Sequence, residues 1–297
     1  MPLTPRISPS GALAPSILTP SPYTVSFRSG EARFTSIQAA IDQALADGAN
    51  PYEPAEIFIY PGFYTGNLTA SVGGIFLTSL GGDYPHTRIQ GSITFTNSEP
   101  LLTAWGFHGL EVSGLVSILG AHTSNEYGVL VNNCNFFSGL DFESCQGLWL
   151  HIKNGTEIRR GAARAINFGV GTPLRIRVIG STIGFGTALT ATHLFPAATR
   201  LIGSLIYGGV IVGGTSGLIT RCTIYADGVN NIRDETTTAS ELMGNMLWAN
   251  AAGIPVINHT GAGQLTQMGN FWGDSATAPY IVNSGGPVLT GGLVPAP

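Results

Sequence analysis

A short phrase returns five times in the C-terminal half of this chain: a small polar residue, one spacer, then an apolar or aromatic pair. It reads VIGSTIGFG around Ser181, LIGSLIYGG around Ser204, ITRCTIYADG around Cys222, LMGNMLWAN around Asn245 and QMGNFWGD around Asn270. Aligned on the polar residue, successive copies follow one another at a step of roughly 20 residues, as in stacked repeats. A repeat this short holds one supersecondary unit, which can bury its apolar face only against the next copy. The chain is therefore predicted to be a solenoid of stacked coils. Similar phrases extend the stack towards the N-terminus: IQGSITF near Ser92, LEVSGLV near Ser113, VNNCNFF near Cys134 and IKNGTEI near Asn154. About nine to ten coils result.

The polar position has a physical reading. A coil must bend sharply, and a small residue or Asn can take a tight or left-handed turn while hydrogen-bonding its equivalent one coil away. Ser181, Ser204, Cys222, Asn245 and Asn270 are thus expected to be turn and ladder residues rather than catalytic ones. Composition agrees with an all-β, turn-rich chain. Charged residues are 10%, against roughly 25% in average proteins, and Lys153 is the only lysine.

The net charge of −4 and the scatter of arginines from Arg6 to Arg233 give no basic footprint, so no nucleic-acid partner is expected. No apolar run approaches the ~18 residues of a membrane helix, and the N-terminus lacks the regions of a signal peptide. No membrane partner is expected either. Cys134, Cys145 and Cys222 have no CxxC spacing, which argues against a disulfide framework or a metal site. Cys134 and Cys222 stand within the phrase, as buried free thiols would. No cofactor is implied.

The ends differ from the middle. Residues 1–22 carry Pro2, Pro5, Pro9, Pro15, Pro20 and Pro22, a spacing that excludes helix and central strand and predicts an extended arm. Residues 275–297, with Pro279, Pro287, Pro295 and Pro297, read as an extended tail or cap. Residues 23–274 between them form one β-helix domain. Within it, Ile37, Ala40, Ile41, Ala44 and Leu45 share one helical face. A capping helix over 35–47 follows, with Thr35 and Gln38 as a capping box and Gly48 as its stop. Ile57 to Tyr60 then reads as a buried strand ended by Pro61-Gly62.

FTSIQAAID followed by IFIYPGFYTGNL, within residues 34–68, resembles the opening of the right-handed parallel β-helix proteins of the pectin lyase-like superfamily. GNFWGD at Asn270 is similar to a frequent closing coil of that superfamily. The resemblance implies a right-handed parallel β-helix, and one fold of this kind hosts unrelated activities. The esterase branch usually carries an Asp in a D-F-apolar-aromatic-Gly segment, a Q-D-T segment and an Arg before Pro-Trp. Here GLDFESCQG matches only at Asp141 and Phe142, and the other two segments are missing. Calcium-holding carboxylate clusters and the G-H-G pattern of the lyase and polygalacturonase branches are also missing, RIR at Arg175 to Arg177 being the one echo. The chain thus resembles non-enzymatic phage or viral structural members of the superfamily, of decoration, head-spike or tailspike type.

Two outward-facing groups remain as site candidates. Asp141 and Glu143 stand at i, i+2 and share a face on a strand, their Cα atoms about 6.5 Å apart, a geometry that does not exclude a glycosidase pair. The ordinary alternative is a solvated pair facing Arg159, Arg160 or Arg164. Trp149 and His151 in GLWLHIK point outward if Leu148, Leu150 and Ile152 point inward, and an exposed Trp serves an interface or a sugar ring. Arg175 and Arg177 share a face in the same way. The expected function is that of a structural virion protein, not an enzyme: a capsid decoration, head spike or fibre component. It would be a homo-oligomer, a trimer by preference, whose N-terminal arm holds other virion or capsid proteins. The expected location is the virus particle. The alternative is a spike or adhesin that binds or degrades host surface polysaccharide.

Overall fold

The computed structural model describes residues 22–50, 52–81, 86–96, 103–119, 127–144, 146–159, 164–171, 173, 175–185, 191–227, 229–249, 254–273 and 281–291. Nearly all of the N-terminal arm, most of the C-terminal tail, Cys145 and Arg160 lie outside the described residues.

Buried residues alternate with more exposed ones over short runs, as in Ala55–Ile59 and Leu148–Lys153, and alternation at period two places one set inside and one outside. The strands pair in parallel throughout, each with its counterpart one coil away. Three sides result. Sheet A has twelve strands, sheet B has ten, and the third side is divided into sheets C and D of five strands each. Each coil contributes one strand to the ten-stranded sheet, so the stack is a right-handed parallel β-helix.

The strand register reproduces the spacing of the sequence phrase. Thr182, Leu205, Thr223, Met246 and Phe271 stand side by side in sheet B, each one residue after a phrase residue. Further back the column continues through Glu157, Asn135 and Glu111. The residues at the corner are accordingly Thr156, Cys134 and Leu110. Cys134 therefore lies on the corner column, whereas Ser92, Ser113 and Asn154 do not. Ser92 and Ser113 belong to the next corner, between sheets B and C, and Asn154 precedes Thr156 in a left-handed turn at φ 55°. In this half of the chain the corner residue is once apolar, Leu110, so a search for polar residues slips to a neighbouring turn. Nor is the phrase residue itself left-handed. The residue before it is, with Gly203 at φ 56° and Arg221 at φ 55°.

Inside the coils, Ile183, Ile206, Ile224 and Leu247 form one fully buried column from sheet B. Each such side chain contributes about 1.5–3 kcal/mol relative to exposure. Aromatic stacking fills the N-terminal coils, with Phe95 stacked on Trp105 and on Phe107 at 6.1 and 5.7 Å. The single described helix, Ile37–Ala46, lays Ile37, Ala40, Ile41 and Ala44 over the first coil. Its N-cap is Ser36, which accepts from Ala39 N, not Thr35. Gln38 cannot complete a capping box because its amide bonds both backbone groups of Thr69 on the first coil. Among the described residues, no helix is long and apolar enough to cross a membrane.

Candidate functional site

The phrase residues are sealed in the corner between sheets A and B. Asn245 and Asn270 are fully buried, and Ser181 and Ser204 are 3% exposed. Ser204 Oγ and Asn245 Oδ1 accept from Ser181 N and Cys222 N, and Asn270 Oδ1 accepts from Asn245 N at 3.0 Å. The hydroxyls of Ser181 and Ser204 donate to the carbonyls two residues back, and the Cys134 and Cys222 thiols do the same. Burial pushes the Cys134 thiol up to about 12 and the Cys222 thiol to about 11. A thiol held protonated in this way is no nucleophile.

A second buried group has the composition of a hydrolytic triad without its arrangement. Asp234 Oδ2 accepts from Ser240 Oγ at 2.6 Å and lies 2.7 Å from His259 Nδ1, so Ser and His meet the carboxylate rather than each other. All three are at most 2% exposed inside the coils, so no substrate reaches them. Asp234 and His259 replace the Phe195 and Val212 of earlier coils on the same inward column of sheet D.

Asp141 and Glu143 sit on the outer face of sheet C, on one strand. The next coil presents Asn167, whose Nδ2 donates to Asp141 Oδ1 at 2.7 Å. Arg159 is turned to sheet B, where it pairs with Glu157 at 2.9 Å. A shallow groove of about 290 Å³ on sheet D is lined by Thr192, Val210, Ile211, Val229, Asn230, Arg233 and Ile254. Its one charged side chain, Arg233, is already paired with Glu235 at 2.7 Å.

The outer face of sheet A carries more chemistry. Trp149 stands beside Arg175 in register, and His151 beside Arg177 and then Arg200 on successive coils. Adjacent strands are about 4.8 Å apart. The Arg175 guanidinium lies 4.6 Å from the Trp149 ring centroid, over one face of the indole. On the other side the register neighbours are Gly128 and Ala104, which have little or no side chain. Trp149 itself is 38% exposed.

The surroundings are cationic. Lys153, Arg175, Arg177 and Arg200 are four of the thirteen Lys and Arg residues of the chain, gathered on three successive coils. Burial and the neighbouring Arg175 and Arg200 hold the Arg177 guanidinium below its ordinary range. Burial, Lys153 and Arg177 lower the His151 imidazole in the same way, which keeps it neutral at pH 7. No ion pair reaches Arg175, Arg177 or Arg200 among the described residues.

Sequence reasoning named Trp149, His151, Arg175 and Arg177 but did not join them, and it missed Arg200 and Gly128. A signal for Arg200 was present, since the step from Arg177 to Arg200 is the same as that from Ser181 to Ser204.

No family model and no curated protein sequence matches the chain. Among solved structures, it is similar to the A-module of mannuronan C-5 epimerase AlgE6 from Azotobacter vinelandii, at 15% identity over 88% of this chain and 90% of that one, with a TM-score of 0.48. Pectin methylesterase from Aspergillus niger aligns at 10% identity over 94% and 86% of the two chains, with a TM-score of 0.36. Tailspike protein 3 of bacteriophage CBA120 aligns at 12% identity over 91% of this chain and 55% of that one, with a TM-score of 0.39. Likenesses this distant say nothing of activity.

Proposed function

We propose that the protein is a structural component of a virus particle, of capsid-decoration, head-spike or fibre type, whose stiff β-helix docks onto host surface polysaccharide without cleaving it. In this reading the Pro-rich arm holds other virion or capsid proteins and the assembled form is a homotrimer. One observation carries the docking role. Trp149 is 38% exposed, with one face backed by the Arg175 guanidinium at 4.6 Å and Gly128, which has no side chain, as its register neighbour on the other side, an arrangement suited to a platform for a sugar ring.

The test is saturable binding to a glycan panel by the full-length protein. Trp149→Ala is expected to weaken binding at least about tenfold, the loss of roughly 1.4 kcal/mol, without lowering the melting temperature. Binding that ignores this substitution would sink the docking role.

The second reading, cleavage, rests on Asp141 and Glu143 sharing an outer face of sheet C. It predicts polysaccharide turnover that Asp141→Asn or Glu143→Gln abolishes. Turnover of any polymer with that mutational signature would replace the non-enzymatic reading.

A further inference from the structure

We propose that the face around Trp149 takes an acidic polysaccharide, whose chain lies along the rod axis with its anionic groups on Arg175, Arg177 and Arg200. This rests on the docking role above and narrows its ligand. Like charges placed on neighbouring strands destabilise a sheet. Here Arg177 stands in register with Arg200 and two residues along the strand from Arg175. The column continues from Arg200 through Leu218 to Glu241, so the nearest carboxylate along it is two coils, about 10 Å, away. Arg177 Nε is buried and makes no hydrogen bond. Among the described residues, the fold thus keeps three guanidinium groups together with no ion-paired counter-charge, although the chain as a whole is acidic at −4.

An anionic ligand supplies what is missing. A carboxylate or sulfate placed between Arg177 and Arg200 accepts charge-assisted, two-pronged hydrogen bonds from planar guanidinium groups. The exposed Trp149 then meets a sugar ring of the same chain one coil further on. A polysaccharide fits better than a nucleic acid. Single-stranded nucleic acid binds over successive aromatic platforms, whereas among the described residues Trp149 is the one Trp, Tyr or Phe in register with the cationic residues on these coils.

The experiment measures affinity of the full-length protein for hyaluronan, carboxyl-reduced hyaluronan, dextran sulfate, a poly(glycerol phosphate), neutral dextran and a single-stranded oligonucleotide, each at low and raised salt. At least one anionic polymer is expected to bind about tenfold or more tighter than the uncharged ones, and the ranking of the carboxylate, sulfate and phosphate arms identifies the anion. Arg177→Gln and Arg200→Gln are each expected to weaken that binding about tenfold and to flatten its salt dependence. The same substitutions are expected to leave the melting temperature unchanged or raise it, because they relieve repulsion. Equal, Trp149-dependent binding of charged and uncharged polymers overturns the acidic ligand and leaves the docking role standing. A preference for the oligonucleotide overturns the polysaccharide. If no polymer binds in a Trp149-dependent way, both the docking role and its ligand fall.

Discussion

Asn245 shows what a single corner residue does. Its Oδ1 accepts from Cys222 N, and its Nδ2 donates to Ile219 O at 2.8 Å and to Asn270 Oδ1 at 2.9 Å. Asn245→Ala removes this partner from Cys222 N and Ile219 O on the preceding coil, each buried group left unpaired costing about 1–3 kcal/mol, while Asn270 Oδ1 keeps Asn245 N. A loss of about 3 kcal/mol is expected by denaturant unfolding, and a loss below about 1 kcal/mol would show that the ladder does not hold the stack. The thiols give a second test at this scale. Their folded pKa values, about 12 for Cys134 and about 11 for Cys222, lie above the ordinary 9.0. Their contribution to stability is therefore complete below pH 9 and declines as pH rises through 11 to 12. At pH 8 both thiols should resist alkylation in the folded protein and react on unfolding, as mass spectrometry would record. Rapid labelling of the native protein would contradict their burial.

At the scale of the element, the Asp234–His259 pair marks where the apolar columns give way. Asp234, Ser240 and Gln267 occupy inward positions filled by Val212, Ile176 and Leu242 in other coils. Removing one partner of a buried pair strands the other, so Asp234→Ala or His259→Ala should cost about 3–5 kcal/mol. Replacing both with Leu should cost less than the sum of the single changes, since neither member of the pair is left facing an empty place, although Ser240 Oγ and Thr236 N lose Asp234 as acceptor. Additive losses in a double-mutant cycle would mean that the two side chains do not act as a pair. The interior network could not be read beforehand because its members sit on different coils: nothing in IRDETTTAS or VINHT signals that Asp234 and His259 meet. The corner residues were legible from Ser181 onward, where Ser, Cys or Asn recurs, and before that only at Cys134, since Leu110 takes the position one coil earlier.

On the scale of the whole molecule, outward aromatic residues run along sheet B. Phe185 packs on Tyr207, which stacks on Tyr225, which stacks on Trp248, with centroids 5.4, 5.6 and 6.2 Å apart. The stacked rings of Tyr207, Tyr225 and Trp248 cover one another's faces. Met246 and Phe271 lie beside them, 46% and 42% exposed. In the homotrimer proposed above, this stripe is a surface available for packing rods side by side. Light scattering should give about three times the 30.9 kDa chain mass, and Trp248→Asp combined with Phe271→Asp should shift the protein towards monomer. A monomer at all working concentrations would remove the trimer.

The sequence by itself determined the fold class, the coil step from Ser181 onward and the inward and outward faces of strands such as Leu148–Lys153 and Arg175–Ile179. These follow from period-two alternation and from a repeat too short to fold alone, both of which are local and countable. Only the tertiary structure decided which outward residues become neighbours. Trp149, Arg175 and Arg200 are far apart along the chain yet stand on successive coils of one sheet. In a solenoid the side chains that meet on the surface are one coil apart, and the length of a coil is not constant: the step from Ser204 to Cys222 is shorter than the step from Asn245 to Asn270. A face such as this one is assembled by register, and register is fixed only when every coil has closed on the last.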